Sequence, residues 1–221
     1  MTDALLPHPA GDLRLMPERA LFRENVATLY VADAHVGKAA TFRAERFAVP
    51  VGTTGGTLQR LDLALARTGA QRLVILGDLL HARTGRHRNT MQQLHAWRER
   101  HAGLRIELVR GNHDVSAGDP EAELDILCHN APVSDAGLFL LHRPGPAMDR
   151  FWLAGHLHPA VTLVGTARQS LLLPCFHCTP EGAVLPAFGD FTGRSEVFPA
   201  PGDRVFVIAN DEVIEVPRVR R

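Results

Sequence analysis

Seven Asp, His and Asn residues, whose side chains can bind metal ions, lie at or just after the ends of short apolar runs in this 221-residue sequence. The runs cover 27–33, 72–78, 105–112, 137–142 and 152–156. The candidate ligands are Asp33, His35, Asp78, Asn112, His142, His156 and His158. Imidazole and carboxylate groups together suit manganese, iron, zinc or nickel. The pattern therefore predicts a metal site built from five separate segments.

The mixture of carboxylate and imidazole ligands favours a site that holds two cations and binds a phosphate ester. Two cations roughly 3.5–4 Å apart need a shared anionic ligand that offsets their repulsion. Asp78 is central in the order of the motifs and is the natural bridging carboxylate. Coordination can lower the pKa of a water molecule from about 15.7 to about 7, which makes hydroxide available at neutral pH. Glycine precedes Asp78, Asn112 and His156, and we expect it to let the backbone turn sharply there.

The apolar runs must be strands if these side chains are to meet. Each run is short and mostly rich in Val, Ile and Leu, which is typical of a buried strand. The segments 57–68 and 89–100 carry apolar residues at helical spacing, and alternation of strands with helices favours an α/β fold. In such folds the carboxyl ends of the strands form the binding edge. We expect the five strands to deliver their ligands to one sheet edge.

After His158 the pattern changes to short strands separated by turn residues. We expect strands at 161–165, 170–175, 182–188, 204–210 and 212–217. The last two are predicted to form a hairpin around Asn210-Asp211, and the arginine-rich end at 216–221 is expected to fray. The prediction is one domain over 1–221, with the metal motifs in 33–158 and a β-rich part in 159–217.

Composition is that of an ordinary soluble globular protein. Lys+Arg and Asp+Glu both number 24, so net charge gives no prediction of a nucleic-acid partner. Three cysteines are too few for a disulfide framework, which favours a reducing compartment. The N-terminus lacks the features of a signal peptide, and no stretch approaches 18 apolar residues. We expect a cytoplasmic protein that does not act in a membrane.

In order, the motifs DxH, GDxxH, GNHD, a single His and GHxH resemble those of the calcineurin-like metallophosphoesterase superfamily over residues 33–158. The resemblance implies a four-layer sandwich, with two mixed β-sheets flanked by helices. It assigns Asp33, His35, Asp78 and His158 to one metal ion, and Asp78, Asn112, His142 and His156 to the other.

The resemblance also implies roles for residues beside the ligands. His113 would stand next to the leaving oxygen as general acid or phosphate contact, and Asp114 would orient His113 by accepting its second N–H. His142 lies in Leu-His-Arg-Pro where many relatives carry His-Gly, so its neighbours depart from the pattern. Three roles remain possible for His81: it could support a metal ligand, contact the substrate or lie at the start of a helix.

Further segments are similar to the bacterial PdeM family, the ligase-associated DNA damage response endonucleases. They are 34–43, 49–61, 77–83, 155–159, 173–176 and 185–193. The similarity implies a manganese-dependent phosphodiesterase or endonuclease that hydrolyses DNA in bacterial repair. An ATP-dependent DNA ligase, a helicase and an exonuclease would be its partners.

Two basic segments follow the first motifs and could contact a nucleic-acid backbone. Lys38, Arg43 and Arg46 follow His35, and Arg83, Arg86, His87 and Arg88 follow Asp78. Neutralising phosphates would make binding fall steeply with salt. Aromatic residues make up only 6% of the chain, so the composition does not predict a stacking platform for single strands.

The metal motifs alone leave other functions open. A phosphomonoesterase, a nucleotide phosphodiesterase or a protein phosphatase could use the same ligands, because flanking loops choose the substrate. A non-catalytic scaffold with this fold would be expected to have lost ligands, and all seven are present. Cys175 and Cys178 lack a second pair that would complete a zinc site, so we expect Cys175 to pack in the C-terminal sheet.

Overall fold

The structure is a computed structural model that describes residues 1–44, 46–47, 49, 52–164 and 169–217. Residues 218–221 of the arginine-rich end, and the last residue of the strand predicted at 161–165, lie outside these ranges.

Seven strands in chain order form the first sheet. They are β1 (Ala4–Leu6), β2 (Leu13–Met16), β3 (Ala20–Arg23), β4 (Thr28–Val31), β5 (Arg72–Ile75), β6 (Arg105–Val109) and β7 (Ile126–His129). β1 to β4 pair antiparallel, and β4 to β7 pair parallel. In the described part of the chain, four α-helices accompany them, α1 (Lys38–Ala44), α2 (Thr53–Thr68), α3 (Arg88–Arg100) and α4 (Asn112–Ala117).

Among the described residues, the second sheet has nine strands. They are β8 (Val133–Asp135), β9 (Leu138–Leu140), β10 (Trp152–Ala154), β11 (Pro159–Val164), β12 (Ser170–Cys178), β13 (Gly182–Val184), β14 (Ser195–Glu196), β15 (Arg204–Ala209) and β16 (Glu212–Glu215). It contains both parallel and antiparallel pairs, so this sheet is mixed as well.

Two cores sandwich the first sheet, which explains its unbroken apolar runs. In β5 and the residue that follows it, alternate side chains face opposite cores. Leu73 and Ile75 face α2 and α3, whereas Val74 and Leu76 face the second sheet. The helices contribute Leu58, Leu61, Leu65, Met91, Leu94 and Trp97. The outer face of the second sheet carries smaller clusters around Trp152 and Cys175. The predicted α/β class with two mixed sheets and flanking helices is confirmed.

The five predicted ligand-bearing strands all exist, but the expectation of a single sheet edge is wrong. β4, β5 and β6 belong to the first sheet, and β9 and β10 belong to the second. A parallel bridge between Ala32 and Ala187 ties the two sheets directly before Asp33. The ligands therefore meet where strand ends of two facing sheets come together.

The C-terminal predictions are largely confirmed. β15 and β16 form the expected hairpin, with Asn210 in the left-handed conformation at φ 53°. β12 extends to Cys178, beyond the predicted end, and Cys175 is fully buried in it. None of the helices in the described part of the chain combines the length and the apolar character that crossing a bilayer requires.

Candidate metal centre

All seven predicted ligands converge at the junction of the two sheets. Asp33 and His35 follow β4, Asp78 follows β5, Asn112 begins α4 after β6, His142 follows β9, and His156 and His158 follow β10. The side chains of Asp33, His35, Asp78 and His142 are buried, so the site lies at the base of the junction.

One cluster of potential ligand atoms consists of Asp33, His35 and His158, all within 4.8 Å of one another. The Nε2 atoms of His35 and His158 are 3.4 Å apart, and His158 Nε2 is 3.6 Å from Asp33 Oδ1. His158 Nδ1 lies 3.2 Å from the carbonyl oxygen of Gly193, to which it can donate. That bond leaves the lone pair on Nε2, pointing into the cluster.

The second cluster consists of Asp78, His142 and His156. His142 Nε2 lies 3.5 Å from Asp78 Oδ2, 3.1 Å from His156 Nδ1 and 3.1 Å from Asn112 Oδ1. On the other side of its ring, His142 Nδ1 is 3.0 Å from the carbonyl oxygen of Leu76. His142 is thus oriented as firmly as the other candidates, although its sequence neighbours depart from the family pattern.

Asp78 has the geometry of a bridging ligand. Its Oδ2 atom is 3.8 Å from His35 Nε2 in the first cluster and 3.5 Å from His142 Nε2 in the second. Its Oδ1 atom accepts the backbone N–H of His113 at 2.9 Å. One carboxylate oxygen is therefore held by the protein, while the other faces both clusters.

The donor set fits divalent cations. Asp33 is fully buried, and its Oδ1 atom has no hydrogen-bond partner among the described residues, while Oδ2 accepts the N–H of His156 at 2.7 Å. A buried carboxylate oxygen without a donor is costly unless a positive charge offsets it. Burial, followed by the charge of Lys38, lowers the pKa of His35 to about 2. His35 therefore offers a neutral imidazole at neutral pH, the form that binds metal.

The backbone is unusual at most of the candidate ligands. Five of them have a left-handed backbone conformation, namely Asp33, His35, Asp78, His156 and His158, with φ between 45° and 70°. Non-glycine residues seldom adopt this conformation, and those that do are concentrated at functional sites. The reversal of the chain at each position turns the side chain into the junction.

The glycines before the ligands act in two ways, which corrects the expectation that all three permit a turn. Gly77 does have a positive φ of 82°. Gly111 has an ordinary φ of −95°, and a Cβ atom there would lie 2.2 Å from Asp78 Oδ1. A Cβ atom on Gly155 would lie 2.6 Å from Asp33 Oδ2. At Gly111 and Gly155 the requirement is space for a carboxylate.

His113 lies beside the candidate metal centre. Its Nε2 atom is 4.0 Å from Asp78 Oδ2, and its ring is partly exposed to solvent. Its Nδ1 atom lies 2.7 Å from the carbonyl oxygen of His81. The ring is therefore held by a backbone carbonyl on its Nδ1 side, while Nε2 is directed toward Asp78.

The prediction that Asp114 orients His113 is wrong. Asp114 is buried, and its Oδ2 atom accepts the backbone N–H groups of Asp78 at 2.7 Å and of Gly111 at 2.9 Å. The cause is its place in the first turn of α4, where an acidic side chain reaches back to the free N–H groups at the helix start. Asp114 fastens the loop of the bridging carboxylate and does not touch the His113 ring.

His81, whose role the sequence left open, lies against the site. Its ring stacks on His113 with centroids 4.7 Å apart and an interplanar angle of 25°. Its Nδ1 atom is 3.4 Å from His35 Nδ1. His35, His81 and His113 form a third group of potential ligand atoms. His81 thus supports the histidines around the centre.

No protein-family model and no curated protein matches this sequence. Among solved structures, nuclease MPE from Pseudomonas putida is similar over 97% of this chain and 100% of that chain, with 39% identity and a TM-score of 0.85. The chain belongs to the metallophosphoesterase superfamily. It is therefore an enzyme of the metal-dependent phosphoesterase class. The phosphoesterase Yfce from E. coli matches 86% of this chain and 97% of its own, but 21% identity and a TM-score of 0.39 make that likeness too distant to bear on function.

Substitution of Asp33 tests its role in metal binding separately from its effect on stability. We expect Asp33→Asn to bind fewer divalent metal ions than the wild type, measured by plasma mass spectrometry. In chelator, its free energy of unfolding should equal that of the wild type or exceed it by up to about 3 kcal/mol, because a buried oxygen without a donor is removed. Added manganese should stabilise the wild type only.

Asp211→Asn, in the exposed hairpin turn, is the matched control and should behave as wild type. Retention of two metal ions per chain by Asp33→Asn would show that Asp33 is not a ligand.

Proposed function

We propose that this metallophosphoesterase is a nuclease that hydrolyses phosphodiester bonds of DNA with two divalent cations. The observation that carries the proposal is the Oδ2 atom of Asp78, which faces both ligand clusters at once. Such a carboxylate suits a pair of cations that clamp one phosphate. The similarity to a protein described as a nuclease supports a nucleic acid as the substrate, and the choice of DNA rests on the resemblance of the sequence to the PdeM family.

When bound, the cations would supply Lewis acidity at the phosphoryl oxygens. The chain contributes the proton transfer. The carbonyl of His81 accepts the Nδ1–H of His113, so Nε2 is the atom that carries the mobile proton. We propose that Nε2 delivers this proton to the departing oxygen, while the stacked His81 ring keeps His113 in place.

Manganese is the proposed metal, with iron, zinc or nickel as the alternatives that this donor set accepts. A role in DNA repair, partnership with an ATP-dependent DNA ligase, a helicase and an exonuclease, and a cytoplasmic location complete the proposal. These rest on the resemblance of the sequence to the PdeM family.

The second basic segment divides into two kinds of arginine. Arg86 points inward, where its guanidinium donates to the carbonyl oxygens of Gly118, at 2.6 Å, and of Asp119. Arg83 and Arg88 are exposed and make no ion pair with any residue that the structure describes. We therefore propose that Arg83 and Arg88 contact the phosphate backbone and that Arg86 holds the segment in shape.

A comparison of two chromogenic esters tests the class of substrate. With manganese, we expect bis-(p-nitrophenyl) phosphate to be hydrolysed with a higher kcat/KM than p-nitrophenyl phosphate, and we expect chelation to abolish both activities. A clear preference for the monoester would identify a phosphomonoesterase instead. Activity that survives thorough chelation would contradict a metal-dependent mechanism.

Substitution of His113 tests the proposed acid. His113→Asn should lower kcat on DNA by about 10²- to 10⁴-fold, because proton donation to the leaving oxygen is lost. Metal content should stay at the wild-type level. His95→Asn, which affects a histidine paired with Glu121, is the control. Loss of bound metal in His113→Asn would mean that His113 is a ligand.

Salt dependence tests the exposed arginines. The double variant Arg83→Ala/Arg88→Ala should bind DNA more weakly, and the slope of log K against log salt should become shallower by about 1.4–1.8 if two phosphate contacts are lost. Arg100→Ala/Arg105→Ala removes two exposed arginines near the start of β6, the end opposite the site, and should leave the slope unchanged. Equal slopes in both double variants would remove Arg83 and Arg88 from the interface.

A further inference from the structure

Three phenylalanine rings form an aromatic ledge beside the metal centre: Phe42, Phe47 and Phe191. The centroid of Phe42 lies 5.7 Å from that of Phe47 and 5.6 Å from that of Phe191, the latter at a nearly perpendicular angle of 82°. Overall composition does not indicate this cluster, because few residues are aromatic. The fold nevertheless brings three of the ten phenylalanines to one place.

The ledge is continuous with the proposed catalytic histidine. The ring of Phe42 lies 6.1 Å from the ring of His81, with 30° between their planes. His81 in turn stacks on His113. A row of rings therefore runs from the proposed proton donor outward to Phe47, the outermost member of the row.

The end of α1 sets the position of Phe47. Its N–H donates to the carbonyl oxygen of Phe42 at 2.9 Å, and the N–H of Arg46 donates to that of Arg43 at 2.9 Å. This pattern is a Schellman motif, which usually places an apolar residue against the last helical turn. The motif accounts for the contact between Phe42 and Phe47.

Two features of this helix end go beyond what the motif needs. The Phe47 side chain stays 58% exposed, so most of the ring is open to solvent. Arg46 has a φ of 66° at the position where glycine is favoured, a conformation that L-residues seldom adopt. An exposed ring and an arginine held next to it suit a ligand that has both a flat π-face and a negative charge.

Lys38, at the start of the same helix, adds a second cation near the site. Burial lowers the pKa of Lys38, whereas the negative charges of Asp78 and Asp33 raise it. The ammonium group is therefore close enough to both carboxylates to interact with their charges. A nucleotide carries the matching groups, a base for the ring and a phosphate for the cations.

We propose that the aromatic ledge is a nucleobase-binding site, in which the exposed ring of Phe47 stacks on a base of the strand on the side of the leaving oxygen. The side follows from the row of rings that links Phe47 to His113 through His81. This inference rests on the proposed nuclease function, but it concerns the base and not the phosphate that is cut. Stacking tolerates every base, because each has a π-face.

The test compares two strands with the same phosphates. One is a fluorescent oligothymidylate, and the other is a strand of equal length in which abasic tetrahydrofuran units replace the nucleotides. Binding is measured by anisotropy in calcium, and hydrolysis is measured in manganese. Phe47→Ala should weaken binding of oligothymidylate about 5- to 150-fold and leave binding of the abasic strand unchanged. Phe47→Trp should bind oligothymidylate at least as tightly as the wild type.

The control variant is Phe198→Ala, which removes another exposed phenylalanine that makes no ring contact with the ledge in the described part of the chain. It should match the wild type on both strands. Equal losses on both strands in Phe47→Ala, or no loss on either, would overturn the base-binding site. Failure of the wild type to hydrolyse either strand in manganese, with base-dependent binding intact, would instead overturn the nuclease function.

Discussion

The candidate site depends on two buried carboxylates that accept too few hydrogen bonds to offset their burial. Asp33 leaves one oxygen without a partner in the described residues, and Asp78 turns one oxygen toward three histidines. Burying such groups is unfavourable unless positive charge offsets it. The neutral His35 between them cannot supply that charge. Cations can, and the histidine lone pairs around both carboxylates are arranged to bind them.

The two sheets together supply the candidate ligands at this junction. The first sheet supplies the two carboxylates, one histidine and Asn112, whereas the second supplies the other three histidines. Their spacing depends on the core between the sheets, in which Tyr30, Leu140 and Phe176 are buried. The bridge between Ala32 and Ala187 and the hydrogen bonds that Asp114 accepts from loop N–H groups fix the loops above that core. The site is therefore preorganised by packing and by backbone hydrogen bonds.

The positions of the candidate ligands at strand ends could be predicted from the sequence because each motif is local. An apolar run followed by glycine and a ligand marks a buried strand and the residue at its end, and the order of such motifs is distinctive. The N-terminal strands β1 to β3 were not predicted because strands of only three or four residues show no clear hydrophobic period.

What the sequence could not supply is the relation between distant segments. The single sheet edge was wrong because strand ends do not reveal which sheet a strand joins. The role that the resemblance implied for Asp114 was wrong because a shared motif does not determine which neighbour a side chain contacts. The aromatic ledge joins Phe42 and Phe47 to Phe191, more than 140 positions away, and only the fold reveals that contact.

The central claim is that Asp78 lies between two cations, each held by its own cluster. Anomalous diffraction at the manganese edge, from crystals grown with manganese, tests it directly. We predict two peaks roughly 3.5–4 Å apart. One should lie among Asp33, His35 and His158, the other among Asn112, His142 and His156, with Asp78 bound to both. A single peak, or two peaks that do not share Asp78, would contradict this account.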